Sequence, residues 1–333
     1  MIRSRCLNCC KCSKRSRNNH TLEHLEHYNA YNMHAPVLLK EVVDCLDPHP
    51  GDFLIDGTVN GGGHAKALLE KILPGGHLLG IDWDENLLEN LKSESWVAKH
   101  QSDINLIHGN YADLPEIIER RKLSRADGLV LDLGFSSAQI EESKRGFSFD
   151  RDEPLIMTYS GDQIPVAQII RELSEKELAD VIYNFSGERL SRVIAKKIKE
   201  ASKKKRIISS LELANVIRGA VPKKYEQAGR KDGTSRIDPA TRTFQALRIY
   251  ANRELENLEN ILKKLPSVIA PQGRVAIITF HSLEDALVKN YFSKMASTGE
   301  AELINKKPLT ASPDEIKKNP RSRSAKLRAI KIN

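Results

Sequence analysis

Short runs rich in apolar residues alternate with stretches in which apolar residues recur every three to four positions, from about residue 38 to residue 133. Phe53-Leu54-Ile55, His77 to Asp82, Ile104 to His108 and Gly128 to Leu133 have the length and composition of strands. Between them, Lys66 to Leu73, Glu85 to Leu91 and Leu114 to Arg121 carry helical spacing, and Leu38 to Leu46 forms a further helix that stops before Pro48 and Pro50. Strands that are apolar on both faces are those of a parallel sheet covered by helices on each side. The pattern therefore predicts a doubly wound α/β fold whose ligands sit at the carboxyl ends of the strands.

From about Asp150 to Asp238 the pattern changes. Ile164 to Leu173, Glu175 to Tyr183, Leu190 to Ala201 and Leu211 to Arg218 are helical in spacing, which predicts an inserted helical domain, and Gln227 to Asp238 reads as a polar, glycine-bearing loop. Thr241 to Leu265 predicts one long helix returning to the main fold. Gly273 to Phe280 is the next strand, followed by a helix to about Met295, a linker over Pro308 to Asn319, and a final strand over Ser324 to Ile332 at the sheet edge. The expected organisation is a leader over 1–32, the first part of the core over 33–150, the helical insertion over 151–240 and the rest of the core over 241–333.

The stretch Asp56-Gly57-Thr58-Val59-Asn60-Gly61-Gly62-Gly63-His64 follows the first strand and opens the first core helix. Four glycines in seven positions let a ligand approach the backbone, and the helix start offers unpaired N–H groups. The next strand ends on Asp82, about 20 residues on, where such folds hydrogen-bond a ribose diol. The spacing is not Gly-x-Gly-x-x-Gly, and Gly63 is followed by His64 rather than by the Lys-Ser/Thr of a phosphate loop. A carboxylate at Asp56 repels a pyrophosphate and suits a cation, so S-adenosylmethionine, with its sulfonium and ammonium, fits better than NAD or ATP.

Composition narrows the partners. The formal net charge of the 333 residues is +8, half of it in residues 1–33, and the remaining basic residues cluster in Lys196 to Arg206 and Lys317 to Lys331. Such clusters suit a polyanion, while an aromatic content of 5% argues against broad base-stacking platforms. Cys6, Cys9, Cys10 and Cys12, with His20, His24 and His27, lack a second Cys-x-x-Cys and apolar packing, so no metal site is expected there. The leader reads as a disordered segment, with Met33 as an alternative start. No apolar stretch approaches the length of a membrane span, and the cysteine usage fits a reducing, cytoplasmic setting.

Several longer motifs then make the chain similar to the RsmH (MraW) family of S-adenosylmethionine-dependent methyltransferases, over roughly Met33 to Asn333. They are His34 to Leu39, the Asp56–His64 turn, Asp132-Leu133-Gly134-Phe135-Ser136-Ser137, Arg145-Gly146-Phe147-Ser148-Phe149, Pro239 to Ile249, Phe280 to Asp285, and Asn319 to Ala325. The resemblance implies a Rossmann-like class I methyltransferase core and N4-methylation of a cytidine in the decoding region of 16S ribosomal RNA, within the small ribosomal subunit. It carries the cofactor positions onto Gly62, Gly63, His64, Asp82, Tyr111, Asp132 and Gln139. Asn60, Ala138 and Pro154 to Thr158 depart from the family's usual residues.

The amino nitrogen of cytosine is a poor nucleophile, so positioning and an acceptor for its N–H bonds are the needs of the reaction. Asp132, at the end of the fourth strand, is the candidate acceptor or cofactor ligand, with Ser136, Ser137 and His281 behind it. Arg242, Arg248, Arg321 and Arg323 are the candidate phosphate ligands. Two other classes remain open: a non-catalytic RNA-binding ribosome-assembly factor on a methyltransferase scaffold, and a methyltransferase acting on DNA or protein. No Asp/Asn-Pro-Pro-Tyr/Phe tetrad follows the fourth strand, which speaks against the usual DNA amino-methylating type.

Overall fold

A computed structural model describes residues 36–134, 143–222 and 238–333. Its centre is a seven-stranded sheet in the order β3-β2-β1-β4-β5-β7-β6. The strands are β1 (Phe53–Asp56), β2 (His77–Asp82), β3 (Ile104–His108), β4 (Ala126–Asp132), β5 (Ile269–Thr279), β6 (Ala301–Leu303) and β7 (Lys326–Ile332). The first five run parallel, and β7 lies antiparallel between β5 and β6.

Alternate side chains of each strand go to opposite faces, and this divides the core. Ile55 and Leu79 pack with α5 (Leu114–Arg121), α11 (Glu254–Val268) and α12 (Ser282–Ser297). Leu54 and Leu78 pack with α1 (Leu39–Leu46), α2 (Gly63–Ile72), α3 (Glu85–Lys92) and α4 (Ser95–Lys99) on the other side. All four strand residues are 0–1% exposed, so truncating any one to Ala leaves a void costing roughly 2–5 kcal/mol. The doubly wound Rossmann-like core expected from the sequence is what forms, with helices on both faces of a mostly parallel sheet.

Between β4 and β5 the chain builds α6 (Val166–Glu172), α7 (Glu175–Ser186), α8 (Ser191–Lys204), α9 (Ser210–Ala220) and α10 (Ala240–Asn252). Their apolar faces form a separate cluster around Leu178, Ile182, Ile194, Ile198, Leu213 and Ile217, closed by Phe244 and Leu247 of α10. The start of α7 is a capping box: Ser174 accepts from Glu177 N–H while Glu177 reaches back to Ser174 N–H.

Three sequence expectations are corrected. The long helix expected over Thr241 to Leu265 is two helices, α10 and α11, because Arg253 adopts a left-handed φ of 52°. Asn252 fixes the break: its side chain donates to the Met157 and Arg248 carbonyls and accepts from Tyr159 N–H. The final strand, expected at the edge, is interior, since the three-residue β6 covers it. Part of the expected linker is a helix, α13 (Pro313–Lys318), capped by Ser312. The leader 1–32 and most of the loop over Gln227 to Asp238 lie outside the described residues.

Candidate active site

The glycine turn at the carboxyl end of β1 shapes the site. Gly62 caps α2 with φ 77°, a conformation that side chains rarely adopt, and a Cβ there would lie 2.6 Å from Leu91 and 2.8 Å from Trp96. Asn60 takes φ 46°, which Asn tolerates. A Cβ on Gly61 would meet no atom of the described residues within 4 Å, so among them the turn is open on that side.

Two hollows meet at this turn. The larger, about 410 Å³, lies between the turn, the end of β4, α10 and the segment 147–157, and its apolar wall includes Phe147, Phe149, Met157, Phe244 and Phe280. Phe149 and Phe244 meet edge to face with centroids 5.5 Å apart. The smaller, about 80 Å³, is lined by Asp82, Trp83, Asn110, Tyr111 and Tyr159. Thr58, Asn60, Asp132, Leu133 and Gly134 border both. Asp132 thus stands where the hollows join.

The carboxylates around the turn are held by backbone donors. Asp82 accepts from Asn60 N–H at 2.7 Å and from Asp84 N–H at 2.9 Å. Asp132 accepts from Gly134 N–H at 3.0 Å, and its own N–H donates to Thr58 Oγ1 at 2.6 Å. Asp56 Oδ1 accepts from Thr58 N–H, but Oδ2, fully buried, has no hydrogen-bond partner among the described residues. Burial pushes the Asp56 carboxyl up to about 8, with the charges of Asp132 and Asp82 adding to the rise, and burial likewise raises Asp82 to about 6. Three carboxyl groups crowd one cradle, an environment that suits a cation.

His64 is buried; its Nε2 donates to the Val37 carbonyl at 2.9 Å and its Nδ1 lies 3.8 Å from Asp132 Oδ2. Tyr111 opens a short 3₁₀ turn, Tyr111–Asp113, that Asn110 caps by accepting from Ala112 N–H. Burial and the charges of Glu254 and Glu284 push the Tyr111 phenol well above its usual range. Gly62, Gly63, His64, Asp82, Tyr111 and Asp132 are therefore brought to one end of the sheet. Ser136, Ser137 and Gln139 lie outside the described residues.

His281 lines the larger hollow and caps α12, its Nδ1 accepting weakly from Glu284 N–H at 3.4 Å. Its buried Nε2 lies 3.0 Å from Glu284 Oε1, and Glu284 Oε2 accepts from Phe280 N–H. Glu254 completes a group whose ligand atoms lie within 4.8 Å of one another. That group already has counter-charge: Arg248 donates to both Glu254 oxygens at 2.8 and 2.9 Å, and Tyr159 O–H donates to the first at 2.9 Å.

The four arginines divide. Arg321 lines the larger hollow, Arg323 is exposed beside it on the turn Pro320–Ser324, and Arg242 is exposed, within 3.4 Å of Glu188. Arg248 departs from the expectation of a surface phosphate ligand: it faces the hollow and its fork is taken by Glu254, so it serves as wall and counter-charge.

Sequence reading assigned no role to Arg145, Trp83, Tyr159, Glu254 or Glu284. Arg145 donates to Asp84 Oδ2 at 3.1 Å and to the Tyr159 carbonyl at 2.7 Å. Tyr159 stacks on Phe147 at 5.6 Å and tilts against Trp83 at 6.0 Å. The motif Arg145 to Phe149 was the signal for part of this; nothing in the sequence marked Glu254.

The MraW methylase family matches residues 31–333. The chain is 40% identical over 317 residues to the ribosomal RNA small subunit methyltransferase H of Syntrophotalea carbinolica, covering 90% of this chain and 97% of that protein. It is 40% identical over 300 residues to the protein of the same name from Wolbachia sp. subsp. Drosophila simulans, covering 89% and 98%. Among solved structures, a SAM-dependent O-methyltransferase from Thermotoga maritima matches at 9% identity and a TM-score of 0.40, over 93% of this chain and 69% of that one. The chain belongs to the MraW methylase family, and its cofactor is S-adenosyl-L-methionine.

Proposed function

We propose that this protein methylates N4 of a cytidine in the decoding region of 16S ribosomal RNA, acting in the cytoplasm on the small ribosomal subunit. The names of its relatives support small-subunit ribosomal RNA as the substrate. The observation that carries the reaction is the position of Asp132, on the border between a small polar hollow beside Asp82 and Tyr111 and a larger aromatic-walled one. The helical segment 151–240 is the part that meets the RNA, and the seven cofactor positions named above, Gln139 included, hold the cofactor. Among the described residues no helix is long and apolar enough to cross a membrane.

When bound, the cofactor supplies a methyl group made electrophilic by its sulfonium. The protein's share is orientation. A base inside folded RNA must be unstacked to enter such a hollow, and the walls of Phe147, Phe149 and Phe280 exclude water around it. Asp132, fixed by Gly134 N–H, accepts an N4–H bond, which draws the amine out of conjugation and takes up the proton lost as the new N–C bond forms. Ser136 and Ser137, a few positions on in the sequence, and His281, whose Nε2 lies 3.0 Å from Glu284, stand as supporting groups.

The test is Asp132→Asn, which keeps shape and removes the basic oxygen. Turnover on immature small subunits should fall by about 10²-fold or more with cofactor binding retained in calorimetry. Normal turnover would remove Asp132 from the chemistry. Parallel incubations with naked RNA, DNA and protein extract, each with labelled cofactor, decide between this reading and the other substrates.

A further inference from the structure

We propose that Gln245 reads the Watson–Crick edge of the target base, its side-chain oxygen accepting one N4–H bond and its side-chain N–H donating to N3. The inference rests on the cytosine-N4 reading above and names the residue that selects and orients that base.

The larger hollow is bordered by Asn60, Arg248, His281 and Gln245, among others. Asn60 spends its side-chain N–H on the Thr58 carbonyl. Arg248 is forked onto Glu254; His281 Nδ1 accepts from Glu284 N–H, and its Nε2, without a hydrogen-bond partner among the described residues, is buried 3.0 Å from Glu284 Oε1 and so is not presented to the hollow. Gln245 is half-buried in the wall, yet its amide makes no hydrogen bond to any described residue. A glutamine kept out of the core packing, on the hollow-facing side of α10 with Thr241 one turn before it, has both a donor and an acceptor to offer.

Cytosine presents a donor at N4 beside an acceptor at N3, the same pair that a carboxamide grips on adenine's N6 and N7. A flipped base is read on this edge by hydrogen bonds while aromatic and apolar side chains enclose its ring, and Phe147, Phe149 and Phe244 line the same hollow. With Asp132 taking one amine hydrogen and Gln245 the other, the plane of the amine is set by two residues on different elements. Thr241 offers a hydroxyl only, which cannot bridge both base atoms at once.

The experiment is a cycle of two enzymes and two substrates. Wild type and Gln245→Leu act on small subunits assembled with 16S RNA that carries either cytidine or 3-deazacytidine at the target position; 3-deazacytidine keeps the amine and loses the N3 acceptor. Any change in the amine's own reactivity is common to both enzymes and cancels in the ratio. On cytidine, Gln245→Leu should lower kcat/KM about tenfold, the scale of one or two neutral hydrogen bonds. Changing to 3-deazacytidine should cost the wild type about tenfold more than it costs the variant. Gln245→Met, with an unbranched side chain, repeats the cycle if the leucine variant melts early. If the two penalties multiply instead, Gln245 does not read N3 and the proposal is overturned. If the wild type forms no N4-methylcytidine on the unmodified subunit, the underlying reading fails first, and the two failures are told apart by that control.

Discussion

At the scale of single residues, the chemistry is set by carboxyl groups kept from water. Asp56 is pushed up to about 8 and Asp82 to about 6, both chiefly by burial. Their folded values stand above the ordinary 3.8, so between about pH 4 and 8 the folded protein holds protons that the unfolded chain releases. The sign follows: stability of the cofactor-free protein falls as pH rises through that window. A cation in the cradle favours the ionised carboxylates, so the cofactor's stabilising effect should grow over the same range. Melting curves from about pH 5.5 to about 8.5, a range that spans both values, should show a thermal shift with S-adenosylmethionine that rises with pH. S-adenosylhomocysteine shares the amine but lacks the sulfonium charge, so its shift should rise less. Equal responses to the two ligands would mean that these carboxyls do not sense the sulfonium.

At the scale of elements, the joint between insertion and core is a small polar clip. Arg145 reaches from the segment after β4 to Asp84, which is 4% exposed in its side chain and caps α3 by accepting from Asn86 N–H, and it also binds the Tyr159 carbonyl. This clip holds Tyr159, which lines the smaller hollow, against Trp83 of the same hollow and against Phe147, which lines the larger one. Arg145→Ala leaves a buried carboxylate with only its capping bond. The expected cost is about 2 kcal/mol, below the figure for a fully buried pair because Arg145 keeps some solvent contact, and a few degrees in Tm for a chain of this size. The KM for subunits should rise more than the KM for cofactor, and Arg145→Lys should restore little, since a lysine cannot fork between carboxylate and carbonyl. An unchanged KM for both would mean that the clip does not shape the hollow. The same elements show what the sequence could and could not reveal. The parallel strands and the glycine turn were legible because buried strands must be apolar and a left-handed turn at Gly62 admits few residues. The break at Arg253 was not, because no glycine or proline marks it: contacts from Asn252 to a segment 95 residues away impose it. For the same reason Glu254, which that break turns back onto Arg248, escaped notice, while Gln245 sat inside a recognised motif without a role. β6 is too short to carry a period, so β7 looked like an edge.

At the scale of the whole molecule, the excess positive charge has to meet the RNA from the side on which the hollow opens. Arg321 borders the hollow itself, and the exposed Arg323 follows it on the same turn, leading into β7 at the centre of the antiparallel half of the sheet. Anchoring the turn to an interior strand fixes these cations relative to Asp132, which a flexible tail could not do. Arg242 stands on the outer side of α10 near Glu188 and is partly neutralised there, so the effect of reversing it should be smaller. Each phosphate that a cation neutralises contributes about 0.7–0.9 to the slope of log affinity against log salt. Arg321→Glu with Arg323→Glu should therefore weaken subunit binding and reduce that slope by about one to two, while Arg242→Glu changes it by less than one. Filter binding at a series of salt concentrations gives the slopes directly. A double variant whose slope equals that of the wild type would place the RNA backbone elsewhere, with the lysine-rich face of α8 (Lys196, Lys197, Lys203 and Lys204) as the next surface to reverse.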